Sequence, residues 1–152
     1  MFDVREYSPS EVVMTFGGYR VEGWERISIR HLQPSFSLVE GIRGKNTRRR
    51  INNTSAEIEI ALTQTSPTNN IFSQIVEIDE QYGTGRIELT IKDVLTGESF
   101  QSTEAYLERP ADKTFDADVT ERVWKMVCLS SKSSMGTGGA LGSLVDRISS
   151  FF

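Results

Sequence analysis

Apolar and polar positions alternate with a period of two through most of the chain, change to a helical period after Thr65, and then return to two. From Glu11 onward, Val12, Met14 and Phe16 alternate into Gly17-Gly18, and Tyr19 and Val21 continue the period, which predicts a β-hairpin reversing at the two glycines. Gly23-Trp24 turns the chain into a longer segment, where Ile27 and Ile29 alternate with Ser28 and Arg30. After a break near Pro34, Phe36 and Leu38 resume the pattern. A second segment answers the first: Ile58, Ile60 and Leu62 alternate with Glu57, Glu59, Ala61 and Thr63, giving one greasy face and one acidic or small face. Ile27 to Thr65 is therefore expected to form one very long hairpin of two half-buried strands with a large tip.

The change of period comes next. Ser66 is placed to cap a helix with Pro67 at its first position, and Ile71, Ile75, Ile78 and Tyr82 recur at helical spacing until Gly83. The spacing predicts an amphipathic helix over 67–82, whose apolar stripe must cover a sheet because a lone helix of this length is marginal in water. Strand signals then return. Ile87, Leu89 and Ile91 alternate with Glu88, Thr90 and Lys92, Thr96-Gly97 marks a reversal, and Ser99 to Leu107 runs back. After a loop at Arg109 to Lys113, Asp118 to Leu129 reads as the last strand. Trp124, Met126 and Cys128 line one of its faces and Val119, Glu121, Val123 and Lys125 the other, and its apolar second half belongs in the centre of the core.

Two stretches do not fit a self-contained domain. Residues 41–54 carry Arg43, Lys45, Arg48, Arg49 and Arg50 and no acid, where two residues would have reversed the chain. This reads as an arm that docks outside its own domain. Beyond a Ser- and Gly-rich linker at 131–139, residues 140–152 place Leu141, Leu144, Val145, Ile148, Phe151 and Phe152 on one side of a short helix. With no domain left to bury that stripe, a partner surface is its natural sink. The division is thus an N-terminal strap at 1–10, a β domain at 11–130, the linker and the apolar tail.

Composition narrows the chemistry. A chain of 152 residues is long enough for one core and short for two, and a net charge of −4 argues against the whole domain binding nucleic acid, although a local basic arm survives that objection. The single cysteine, Cys128, allows no internal disulfide and reads as a buried, inert thiol. No basic-then-apolar leader and no eighteen-residue apolar run occur, so neither a cleaved signal nor a membrane span is expected. The single histidine, His31, has no acid or nucleophile near it in sequence, and the glycines at 83–85 and 136–139 lack the lysine of a phosphate loop and the spacing of a dinucleotide fingerprint. No catalytic residue, metal ligand or cofactor site is expected, and the protein is read as a non-enzyme.

Over about residues 7–130 the sequence resembles the tail tube proteins of contractile-tailed, myovirus-type bacteriophages. The resemblance is carried by Tyr7-Ser8-Pro9-Ser10-Glu11-Val12 with Phe16-Gly17-Gly18-Tyr19, by Gly41-Ile42-Arg43-Gly44-Lys45-Asn46, and by Val123-Trp124-Lys125-Met126. It implies a mainly β fold with one flanking helix, a β-sandwich or partial barrel related to the tube protein of type VI secretion. It further implies that six copies form a ring, that rings stack, and that strands from all subunits close a continuous β-barrel channel, which would remove the exposed edges that long strands otherwise leave.

In such a tube Glu57, Glu59, Ala61 and Thr63 would face the lumen, where the carboxylates repel phosphate, and the arm cations would meet carboxylates of the adjacent ring. The alternative readings are a solvated strand face for the first group and direct DNA contact for the second. The implied partners are further copies of the chain, the tail sheath protein, baseplate and tail terminator proteins, and the tape measure protein and genomic DNA in the lumen. The implied location is the virion tail, assembled in the host bacterial cytoplasm. A type VI secretion-like or tailocin-like tube ring is the nearest rival, and a small β-rich nucleic-acid-binding module using the arginine arm is a further one.

Overall fold

In the computed structural model, which describes residues 6–135, the first hairpin forms where the alternation places it. Strands β1 (Val12–Phe16) and β2 (Tyr19–Arg20) reverse through Gly17 and Gly18, both with positive φ, a conformation glycine adopts without steric cost. A single 3₁₀ turn at Pro9–Glu11 leads into β1. The long hairpin follows as β3 (Trp24–His31) and β6 (Ala56–Thr63), paired in register from Arg26↔Ala61 to His31↔Ala56. Gly23 makes the entry to β3 possible, with φ +70° and a hydrogen in the place where a Cβ would lie 2.8 Å from the Cβ of Ser66.

Helix α1 (Thr68–Tyr82) ends at Gly83 in the left-handed conformation, its N–H bonded to the Asp79 carbonyl. The strands β7 (Ile87–Asp93), β8 (Ser99–Leu107) and β9 (Glu121–Ser134) complete an antiparallel sheet of order β2-β1-β7-β8-β9-β6-β3. The sheet curls on itself. His31 on the edge strand β3 brings its ring within 6.4 Å of Phe100 on β8, although β9 and β6 lie between the two strands in the order.

The core fills the concave side. Met14, Phe16, Ile58, Ile60, Leu62, Leu89, Met126 and Cys128 are fully or almost fully buried, and each comes from the inward phase of its strand. The helix sits on this face through Phe72, whose ring meets Phe16 and Trp124 edge-on with centroids 5.9 and 5.5 Å apart. Asn69 accepts a 2.9 Å hydrogen bond from the Trp124 indole N–H, so the one polar atom of that ring is satisfied inside the core.

Three expectations need correction. The buried side of the helix is Thr68, Phe72 and Val76, with Ile75 only partly covered, while Ile78 and Tyr82 are about half or more exposed. The apolar set one residue out of phase wins because Phe72 fills the slot between two aromatic rings. Ser66 acts as the cap without being the last non-helical residue: its Oγ accepts from the Thr68 N–H at 3.2 Å and donates to the Glu22 carbonyl at 2.6 Å. The last strand begins at Glu121 rather than Asp118 and runs to Ser134, so residues 131–134 of the expected linker are strand, paired at Gln101↔Lys132, Phe100↔Ser133 and Ser99↔Ser134. A serine-rich stretch pairs through its backbone as well as any other, and Thr54 adds two bonds to Ser131. The remaining linker and the tail, with Leu141, Leu144, Val145, Ile148 and Phe151, lie outside the described residues.

Candidate functional site

Three surfaces are candidates, and the first is the outward face of β6. Glu57, Glu59, Ala61 and Thr63 share it, as their alternation with Ile58, Ile60 and Leu62 requires. The registers set Arg26, Ser28 and Arg30 of β3 beside them on one flank and Glu121, Val123, Lys125 and Val127 of β9 on the other. The Arg30 guanidinium donates to the Glu57 carboxylate at 2.7 Å, and Lys125 Nζ stands 3.6 Å from Glu57 and 3.8 Å from Glu59. Arg26 reaches Glu121 at 3.7 Å.

The hydrogen bond from Arg30 holds the Glu57 carboxyl below its ordinary range; partial burial opposes that effect, and the charges of Arg30 and Lys125 add to it. What reads in β6 alone as an acidic stripe is therefore a lattice of three cations and three carboxylates across three strands. Ala61 is 1% exposed on this outward face, roofed by its longer neighbours.

The second surface is the arm. Its basic tip residues stand on a separate two-stranded sheet, β4 (Phe36–Glu40) with β5 (Asn46–Arg50), and these strands pair only with each other. Two corrections follow: Phe36 and Leu38 belong to the arm rather than to a half-buried body strand, and Arg48, Arg49 and Arg50 lie in a strand of the arm rather than in the turn at its tip. Leu32 N–H to Ser55 C=O at 3.1 Å and Ile51 N–H to Ser35 C=O at 2.9 Å carry the ladder from body to arm across the break at Pro34. At the tip Gly44 takes φ +76° and Gly41 bonds the Lys45 carbonyl, which sets Arg43 and Lys45 on either side of the turn.

Arg48 lies over the Phe36 ring, 3.7 Å from its centroid. Leu38, Val39 and Ile42 are exposed, Ile42 completely. Among the described residues none of the five arm cations makes an ion pair. Phe36, Leu38 and Ile42 are thus an apolar complement to the basic arm, and the signal for them was present in the alternation at Phe36 and Leu38.

The third surface is an edge. Strand β3 ends the sheet order, so eight residues from Trp24 to His31 have a ladder partner on one side only. Sequence periodicity gives no means of telling an edge strand from an inner one. Elsewhere the described residues hold no group of three or more His, Cys, Asp and Glu placed to bind a metal ion, and no helix long and apolar enough to cross a membrane. Cys128 is fully buried, and burial pushes its thiol up against the weaker opposing hydrogen bond of Ser102.

The fold of this chain has counterparts in solved structures of injection machines. The chain superposes on a chain of the sheath/tube terminator of an extracellular contractile injection system, PVC, in the extended state, with a TM-score of 0.68 over 86% of this chain and 98% of that one, at 7% identity. On a chain of the anti-feeding prophage cap (AFP tube terminating cap) the TM-score is 0.65 over 90% and 96%, at 11% identity. On a chain of the PVC sheath-tube complex in the extended state it is 0.63 over 86% and 92%, at 13% identity. The fold is the tail-tube fold. No protein-family model and no curated protein sequence matches the chain. At identities this low the tail-tube likeness is one of backbone architecture.

Proposed function

We propose that this protein is a structural ring subunit of the inner tube of a contractile injection machine, and that rings of it stack into a channel. The open β3 edge is the observation that carries the reading. An eight-residue edge left open is a site where another strand can pair, and closure with copies of the same chain turns that edge into a wall. Similarity in fold to tube and tube-terminator components over 86–90% of the chain supports the same reading.

In this proposal the polar face of β6 with Glu57, Glu59, Ala61 and Thr63 lines the lumen, and the arm reaches the next ring, where Arg43, Lys45, Arg48, Arg49 and Arg50 meet its carboxylates. The function is passage, with no bond made or broken, and the cargo in a phage tail is genomic DNA. A lumen face with cations and carboxylates in balance neither grips nor strongly repels a polyanion. Replacing both Glu57 and Glu59 by lysine leaves four unbalanced cations around Arg30 and Lys125, so rings still assemble but a polyanion stalls inside them. Undiminished passage or infectivity in that variant counts against the lumen placement.

Negative-stain microscopy of the purified protein tests the reading directly. Stacked hollow rings are expected; a monomer that persists at high concentration overturns it. Single rings that do not stack select a second reading, a ring that ends the tube, favoured by the presence of a tube terminator and a terminating cap among the similar folds. A tube of a secretion-type or tailocin-type device has the same rings with a different cargo.

A further inference from the structure

Between the edge strand β3 and the facing parts of β1, β7 and β8 lies an open cleft of about 450 Å³ floored by Val12, Trp24, Ile27, Ile29, Ile91 and Phe100. It is the seam of the unclosed barrel. Strand β9 delivers the chain to its rim, since Ser133, Ser134 and Met135 also line it, and Met135 is 84% exposed there. The seventeen residues that follow carry a further apolar stripe in the sequence, Leu141, Leu144, Val145, Ile148 and Phe151.

We propose that this cleft is the seat of the chain's own C-terminal segment, residues 140–152, folded back in cis along β3. The dimensions agree. Gly136-Thr137-Gly138-Gly139 spans at most about 14 Å, enough to turn from the rim into the cleft. Thirteen residues would be about 20 Å long as a helix, against about 26 Å for an eight-residue strand, so in the helical form that their spacing predicts they would cover most of the seam. Leu141, Leu144, Val145, Ile148 and Phe151 recur at i, i+3, i+4, i+7 and i+10, one stripe for one groove.

The tether decides between this segment and a second copy as occupant. A short flexible linker gives its own tail an effective concentration in the millimolar range, which a second molecule matches only at that concentration.

Cysteine crosslinking of the full chain tests the contact independently of tube formation. Ile27→Cys or Ile29→Cys, each combined with Leu141→Cys or Leu144→Cys, is expected to give an intramolecular disulfide at low protein concentration in at least one pairing. The native Cys128 is fully buried and does not compete. Disulfides only between chains, or none in any pairing, overturn the proposal.

Tryptophan fluorescence gives a second readout, because Trp24 lines the cleft whereas Trp124 is 4% exposed in the core. Ending the chain after Met135, or changing Leu144 and Val145 to aspartate, is expected to shift emission to the red and to raise acrylamide quenching. A synthetic peptide of residues 140–152 reverses the change in the truncated chain. Unchanged emission and quenching in both variants, with the far-ultraviolet spectrum intact, overturns the proposal as well.

Discussion

The two ends of the long hairpin are built from the same alternation and come to opposite fates. In the body, β6 lies between β3 and β9, and its inward residues Ile58, Ile60 and Leu62 are fully buried. In the arm, β4 and β5 have only each other, and Phe36, Leu38 and Val39 stay exposed. An alternating strand is only an offer of one face. Whether that face becomes core depends on what the rest of the chain lays against it, and nothing in the described residues is laid against the arm. Apolar exposure of this kind, dressed with cations that make no ion pair among the described residues, is what the proposed docking of the arm on the next ring would cover.

If that contrast is right, the body carries stability and the arm carries assembly, and substitutions should separate the two. The largest effect belongs to Phe72→Ala, which empties the slot between Phe16 and Trp124 and is expected to cost about 3–5 kcal/mol, read as a lowered urea midpoint. A loss under about 1 kcal/mol would show that the helix is a loose appendage and the body less unified than described. Ser66→Ala comes next. It orphans the Thr68 N–H and removes the bond to the Glu22 carbonyl, for a loss of about 1 kcal/mol in the same measurement.

Acid pH probes the polar face of the body. The Glu57 carboxyl titrates lower in the folded protein than its ordinary value of 4.5, so its stabilising contribution is complete above that pH and disappears as pH falls through the folded value. Glu57→Gln is therefore expected to be less stable than the parent at pH 7 and to converge with it in acid, with a flatter profile between. Parallel profiles would mean that the lattice with Arg30 and Lys125 contributes nothing. On stability the smallest effect is expected in the arm, where reversing Arg48, Arg49 and Arg50 to glutamate changes the unfolding free energy by no more than about 0.5 kcal/mol. The same variant is expected to abolish tube formation; tubes that still form but no longer retain DNA on a column would assign the arm to nucleic acid instead.

Most elements of the fold were legible because their signals are local. The hairpin at Gly17-Gly18, the cap region at Ser66, the stop at Gly83 and the alternation in β7 and β8 each need only a few neighbouring residues. The misreadings share one cause. Ile78 and Tyr82 fit the helical stripe as well as Phe72 and Val76, and only the aromatic slot under the helix chooses between them. Ser133 and Ser134 have linker composition, and only the facing Ser99 and Phe100 make them strand.

Of the candidate surfaces, the charge of the arm was visible in Arg43, Lys45 and Arg48 to Arg50, whereas the neutralisation of Glu57 and Glu59 was not. Lys125 is more than sixty residues away in sequence, and its approach depends on the pairing Glu59↔Lys125.

The amino-acid order by itself determined the succession of strands and helix, which residues of a strand share a face, and where the cations of the arm gather, because steric and hydrogen-bonding preferences act over a turn or a strand. Tertiary structure alone decided which strand became the edge, which carboxylates were neutralised, which helical stripe was buried and how far the sheet curled toward closure. Those outcomes are set by register between distant segments, and a period, however clear, carries no address for its partner.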